Sequence, residues 1–536
     1  MFFAVICRAQ YIQPMPIEPK VSGSFAEMRA NHFHSGIDLT TSGSTGIEVR
    51  SVEEGYVSRI KVSAYSYGYA LYITHPDGHT TVYAHLKRYA PKIERIIRKE
   101  HYRRKSFEVD YFPKADEIPV SKGEVIGFSG NSGSSGGPHL HFEVRDTKSE
   151  HPLNPLAFLP VIPDKESPTI YGVKLYTLDD KAQIMRQPKS RYYSLADINE
   201  KTIEVYGNIG FGIHAADYLL AGHRPCGVVD IRLLCDDTLL FHSHIDEISF
   251  DDTRYINSHI DYAEYIDNKR FIQKSFLEPG NILTIYRHAK PFAIANGEKK
   301  KIQYILTDYA GNTSDVTFYV QGTERNNQAP LRKHNGEKVS WGKTWAREAH
   351  GMSVMVPRET LYSDTYIDLQ RNGNRFTIGS EHIPLQKNIT ITFPVPEELK
   401  KYGKQLFIAK VGKKNVLSYV GGTLADSTIS VKTRTMGTFT LATDTIPPKV
   451  FSKNTRTNLV ASNSIMIGIS DDMSGIKTYN CYIDDKWQLF EYDYKKTRLI
   501  TTIEALGLLK GSHKLRVVVS DTCGNTMEWN WAFEIR

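Results

Sequence analysis

The 536-residue chain is poor in cysteine, in long apolar runs, in helical periodicity and in charge of one sign. Five cysteines are too few for a dense disulfide framework. Cys226 and Cys235 bracket GVVDIRLL, which reads as one strand. Nine extended steps of about 3.3 Å would part them by roughly 30 Å, beyond disulfide reach. Cys481 and Cys523 remain as a possible pair. No apolar run attains the roughly 18–20 residues that span a membrane, so no transmembrane segment is expected. A formal net charge of +7 is modest for this length and gives no ground for nucleic-acid binding. Nine Lys or Arg stand between Lys87 and Lys105 against Glu94 and Glu100 alone, so the rest of the chain is near neutral.

What is present favours strands. There are 31 Tyr and 23 Phe, with frequent Thr and Val, residues that suit pleated, half-buried surfaces. A hydrophobic fraction of 40% and a charged fraction of 24% are those of folded, soluble protein. The length leaves room for three or four domains. The start, MFFAVICRAQ, resembles the tail of a secretory signal, so residues 1–19 are expected to be a residual leader with cleavage near Ala9. Cys7 lacks the preceding small residue of a lipoprotein signal. The expectation is an exported protein of the periplasm, cell envelope or extracellular space.

Residues 20–160 alternate glycine turns with the short strands GYVSRIKVS, YALYITH, TTVYAHL, GEVIGFSG and HLHFEVR, a compact antiparallel β unit. Its basic insertion, 88–118, reads either as a solvated helical excursion or as a rim that attracts an anionic partner. Beyond Pro163 a repeat emerges: TDYAGNT at 307–313 is echoed by SDTCGNT at 520–526, each between two strands. Upstream, GIHAAD at 212–217 matches GISDDM at 468–473 in position. The fold class is therefore mainly β: β-sandwich modules of immunoglobulin-like texture at 161–327 and 447–536 enclose a third β-rich module at 328–446.

HLHFEV has period two, so His139, His141 and Glu143 face one way and Leu140, Phe142 and Val144 the other. The apolar set can bury while the imidazoles, about 7 Å apart at their Cα atoms, face a cleft. A metal site or an acid–base pair wants that arrangement; an exposed face carrying two histidines is the plain alternative. The preceding glycine run enters a strand rather than a helix, which argues against phosphate binding. Upstream, NHFHSGIDLTT places His34 and Asp38 four residues apart. On a straight strand they would stand about 13 Å apart, so a bend at Gly36 is needed to join them on one ion. His85 lies on TVYAHLK, another strand. FHSHIDE puts His242, His244 and Asp246 on one strand face as a weaker cluster, and His75 and His79 flank a turn and read as solvent-exposed.

Two histidines and one carboxylate with a fourth position open is a catalytic zinc pattern, and no HExxH helix is present. In order and in detail, HSGID, YAHL and GNSGSSGGPHLHFEV resemble the lysostaphin/LytM-type zinc endopeptidase family over residues 20–160. The resemblance implies a small antiparallel β-sheet metallopeptidase domain with one Zn2+ per chain on His34, Asp38 and His141. It implies His139 and His85 as the catalytic pair, one taking the water's proton and the other holding substrate and stabilising the oxyanion; the sequence does not decide which does which, and His139 is favoured as the base. The implied reaction is hydrolysis of stem peptides or cross-links of peptidoglycan, without a covalent intermediate. A catalytically silent LytM-like module, acting as an activator or wall-binding protein, is the competing reading. The C-terminal β modules would meet the wall, a protein partner or the enzyme's own cleft. The tyrosine that the family often carries shortly before its first ligand has no counterpart between Tyr11 and His34.

Overall fold

The computed structural model describes residues 11–218 and 225–536. The start of the expected leader, with Cys7 and the cleavage near Ala9, lies outside the described residues. In the N-terminal domain, Ile37–Thr40 (β1), Gly55–Val62 (β2), Tyr69–Thr74 (β3), His79–Leu86 (β4) and His139–Asp146 (β5) form one antiparallel sheet in the order β1-β5-β4-β3-β2. The alternation in β5 is as predicted: Leu140, Phe142 and Val144 are fully buried and share a core with Ile37, Leu39 and Tyr83. Val125–Phe128 joins Glu48–Arg50 and Arg88–Tyr89 in a separate three-stranded sheet.

The chain breaks at Gly36 before it enters β1. A Cβ there would lie 2.2 Å from the carbonyl oxygen of Phe142, so only glycine lets this bend press against β5. The basic insertion forms helix α1 (Pro91–Arg104), which opens on a proline and closes on Lys105 in the left-handed region. Its Ile93, Ile97 and His101 are buried. Arg103 and Arg104 bond to Glu100 within the helix. Arg98 donates to the carbonyl of Ala505, Tyr102 donates to Gln488 at 3.0 Å, and the Tyr102 ring meets Trp487 edge-on at 5.4 Å. The insertion is thus not a free excursion: through Arg98 and Tyr102 it contacts the last module.

Two units of one plan lie downstream. The first contains Thr169–Thr177 (β6), Ile209–Ala216 (β7), Lys299–Thr307 (β8) and Thr313–Gly322 (β9). The second contains Lys449–Ser452 (β10), Ser464–Ser470 (β11), Gly511–Asp521 (β12) and Thr526–Ile535 (β13). Strand β6 pairs β7 as β10 pairs β11, and β8 pairs β9 as β12 pairs β13. In both, the last strand also takes a parallel neighbour, Thr202–Tyr206 or Asn458–Leu459. The ladders align Asp217 with Asp471, because each follows the residue paired with the first residue of β6 or β10. That is two residues away from the glycine-on-glycine match made from sequence. Between the units, two five-stranded sheets share a core in which Phe376 stacks on Phe393 at 4.2 Å.

Two expectations about cysteine fail. The strand near Cys226 spans only Asp230–Cys235, and Cys226 instead forms an isolated antiparallel bridge with Asp217. Cys481 and Cys523 are both unbridged: Cys481 packs in the last module's core, whereas Cys523 lies against Phe407 and Ala409. No helix among the described residues is long and apolar enough to cross a membrane.

Candidate metal centre

Strand pairing brings the separated motifs together. Asp38 on β1 is paired with His141 on β5, whose other neighbour is Ala84 of β4, next to His85. His34 arrives from the break before β1. Its Nε2 lies 3.1 Å from Asp38 Oδ1 and 2.9 Å from His141 Nδ1, and His141 Nδ1 lies 2.9 Å from the same oxygen.

Protons are assigned by the outer partners. His34 Nδ1 is 2.7 Å from the carbonyl of Ser24, an oxygen that only accepts, so Nδ1 carries the hydrogen and Nε2 is bare. In the neutral ring His141 Nε2 donates to Glu143 Oε1 at 2.8 Å, which leaves Nδ1 bare. Arg29 donates to Asp38 Oδ2 at 2.7 Å and leaves Oδ1 facing the imidazoles. Three lone pairs therefore converge, with their ligand atoms within 4.8 Å of one another. Like-signed lone pairs held that close need a cation or a proton between them, and orientation of metal-ligating histidines by an outer acceptor is the common device.

The pKa shifts follow the same geometry. Burial outweighs the attraction of Asp38 and holds His34 down at about 4. Burial, with His141 and His139 beside it, holds His85 at about 3. His141 is buried too, but hydrogen bonds to Asp38 and Glu143 prevail and raise it to about 9, so without a metal its Nδ1 carries the proton that a bound cation would replace. Burial opposes charge on Asp38, yet His34 and the other histidines around it keep it well below the usual carboxylate range.

His139 and His85 flank this centre. His139 Nδ1 donates to the carbonyl of Gly137 at 2.8 Å, and its Nε2 stands 3.3 Å from Asp38 Oδ1. His85 Nδ1 donates to the carbonyl of Ser132 at 2.9 Å, and the two rings meet at 4.9 Å. Both thus present a bare Nε2. His85 also has φ of +59°, a conformation that costs a non-glycine residue energy and is tolerated where surroundings fix it. The loop before His139 is held from outside: Lys495 of the last module donates to the carbonyls of Asn131 and Ser135 at 2.7 and 2.9 Å. Tyr494 packs on Tyr65 at 4.6 Å.

Glu143 is the main residue missed from sequence, although period two had put it on the face of His141. Fully buried, it accepts from Ser35 at 2.6 Å, Tyr67 at 2.5 Å and Arg145 at 2.6 Å as well as from His141. Arg29 and Ser24 carried no local signal at all. His75, expected in solvent, is 4% exposed, because its ring spans the carbonyl of Glu54 and the hydroxyl of Thr81, both at 2.7 Å. His79 is half-buried beside Asp77. In the weaker cluster His242 and His244 both face Asp230, at 2.7 and 3.0 Å, while Asp246 pairs with Arg287.

Residues 32–102 and 111–155 match Peptidase family M23, and residues 336–444 match the Zu5-like domain. The DD-carboxypeptidase/endopeptidase Mpg of Neisseria meningitidis serogroup B is 33% identical over 124 residues, 23% of this chain and 22% of that protein. Mpg of Neisseria gonorrhoeae is 32% identical over the same length, with the same shares. The chain thus spans about a fifth, 22%, of the length of the curated relatives it matches. The catalytic domain of the antimicrobial peptidase lysostaphin from Staphylococcus simulans is 23% identical, with 26% of this chain and 91% of that chain covered and a TM-score of 0.20. The part of the chain that matches Peptidase family M23 is thus the domain that carries His34, Asp38, His85, His139 and His141.

Proposed function

We propose that the N-terminal domain is a zinc-dependent endopeptidase that hydrolyses peptide bonds of peptidoglycan, acting outside the cytoplasm. The observation that carries this reading is the convergence of the bare nitrogens of His34 and His141 on Asp38 Oδ1, with two further bare imidazole nitrogens alongside. His34, Asp38 and His141 would hold one ion per chain. Zinc bound there supplies a Lewis acid that polarises the scissile carbonyl and makes water more acidic. The named activity of the Mpg relatives, DD-carboxypeptidase/endopeptidase, supports wall peptide as the substrate class.

His139 Nε2 is placed to take the proton of the attacking water, because its Nδ1–H is fixed on Gly137. As the C–N bond breaks, the same nitrogen returns that proton to the leaving amine. His85 stays neutral and has spent its hydrogen on Ser132, so its Nε2 accepts from water or from a substrate N–H. This gives His85 an orienting role rather than that of an oxyanion donor. Tyr67 stacks on His141, but its hydroxyl is committed to Glu143. The contact of Lys495 with the loop before His139 favours the last module as a wall of the cleft.

The test is digestion of purified sacculi, with released muropeptides identified by mass, beside Asp38→Ala and His139→Ala. New amine ends from the wild type alone establish the hydrolase and name its bond. Equal products from all three, or none from any, refute it.

A further inference from the structure

Outside the metal centre, the repeated modules carry a second chemistry. In the first, Asp164, Asp217 and Asp308 bring carboxylate oxygens within 4.8 Å of one another. Asp164 lies on the linker from the peptidase domain, Asp217 follows β7, and Asp308 opens the β8–β9 turn. Asp217 is 4% exposed and its Oδ1 has no hydrogen-bond partner. Asp308 is equally buried. Among the described residues no ion pair reaches any of the three. Burial, with Asp308 and then Asp164 nearby, pushes the Asp217 carboxyl up to about 7. Asp164 and Asp217 also line a cavity of about 40 Å³ between the two domains, together with Ser24 and Gly227, room for an ion with little water.

The other copy shows what a compensated version looks like. Asn312 donates from its backbone and side chain to Asp308, both at 2.8 Å, and Asn525 does the same to Asp521 at 2.8 and 2.7 Å. Asp444 precedes β10 by the same interval as Asp164 precedes β6, and Asp444, Asp471 and Asp521 form the matching cluster. There, however, backbone N–H groups fill the site: Ser474 donates to Asp444, while Met473 and Gly475 donate to Asp471. In the first copy the Glu166 N–H donates to Asp164 and the Tyr218 N–H to Asp217, but Asp217 Oδ1 has no partner among the described residues.

We propose that Asp164, Asp217 and Asp308 bind a divalent cation of the calcium class at the junction between the peptidase domain and the first β module. Hard carboxylate oxygens from three separate segments suit Ca2+, which takes six to eight oxygens in flexible geometry, better than Mg2+, which demands a near-ideal octahedron. The cation ties the linker to the module beside a contact that matters to the metal centre. Gly227 N–H donates to Ser24 Oγ at 2.9 Å, and the Ser24 carbonyl holds His34. The site does not depend on the peptidase reading.

The test titrates Ca2+ into the full chain, cleared of calcium on a chelating resin and restored with one equivalent of zinc. Calorimetry and thermal unfolding are read for the wild type, Asp217→Asn, Asp164→Asn and Asp471→Asn. Saturable binding and a rise of about 5 °C in melting temperature at saturation are expected for the wild type and Asp471→Asn. Asp217→Asn should lose the response, and Asp164→Asn should weaken it at least tenfold. In calcium-free buffer Asp217→Asn should melt no lower than the wild type, since it removes an unpaired buried charge; that separates lost binding from failed folding. No calcium response in the wild type, or a wild-type response in Asp217→Asn, overturns the proposal.

Discussion

His34 Nε2 and His141 Nδ1 stand 2.9 Å apart, each turned inward by a partner that holds the nitrogen on the far side of the ring. The metal centre rests on that opposition. Its lone pairs are aimed by Ser24 and Glu143, so the outer partners govern affinity as much as the ligands do.

Glu143→Ala should therefore weaken zinc binding by about 10–100-fold, measured by competition with a chelator of known affinity. It also strands Arg145, which is almost fully buried and bonded to Glu143 at 2.6 Å. Loss of one partner of such a pair costs about 3–5 kcal/mol, read by denaturant unfolding. Wild-type zinc affinity in this variant would leave Glu143 with a purely structural role.

Gly36→Ala should destabilise the domain by roughly 1–3 kcal/mol, because the added methyl meets the Phe142 carbonyl. His34 depends on that bend, so zinc stoichiometry should fall along with the melting temperature. Alanine tolerated without loss of either would show that the bend has another origin.

Acid should destabilise the metal-free protein. Its unfolded state takes up protons on His34 and His85 as pH falls below about 6.5, whereas the folded state resists until about 4 and about 3. Stability is lost across that interval. The raised His141 acts oppositely: its contribution is full below about 6.5 and is lost as pH rises towards about 9. Melting temperature against pH for the wild type and His85→Gln checks the first part; the acid loss should be smaller in the variant.

Lys495→Ala should loosen the loop that delivers His139. Faster hydrogen exchange across residues 130–137 is expected, with a global cost of only about 1 kcal/mol, since the lysine is exposed and its bonds are single contacts. Unchanged exchange would mean that the last module only abuts the loop.

Much of this was legible in the sequence, and the reasons are local. Period two in HLHFEV decided which side chains of β5 bury, and it put Glu143 beside His141. The need for a bend at Gly36 followed from strand rise alone. What escaped was set by contacts between distant segments. Arg29 reaches Asp38 from a neighbouring hairpin, and Tyr102 meets Trp487 across 385 residues of chain. His75 reads as a turn residue until the hydroxyl of Thr81 and the carbonyl of Glu54 are seen to enclose it. The repeat TDYAGNT/SDTCGNT was visible, but its aspartates gained meaning only when strand register aligned Asp217 with Asp471.

The most direct test of the central claim measures zinc content and muropeptide release on the same preparations of wild type, His139→Ala and Asp38→Ala. About one zinc per chain with release is expected for the wild type. His139→Ala should keep its zinc while release falls by about 10²–10⁴-fold. Asp38→Ala should lose both. Release by His139→Ala at the wild-type rate, or release by a wild-type protein that holds no metal, would contradict the account.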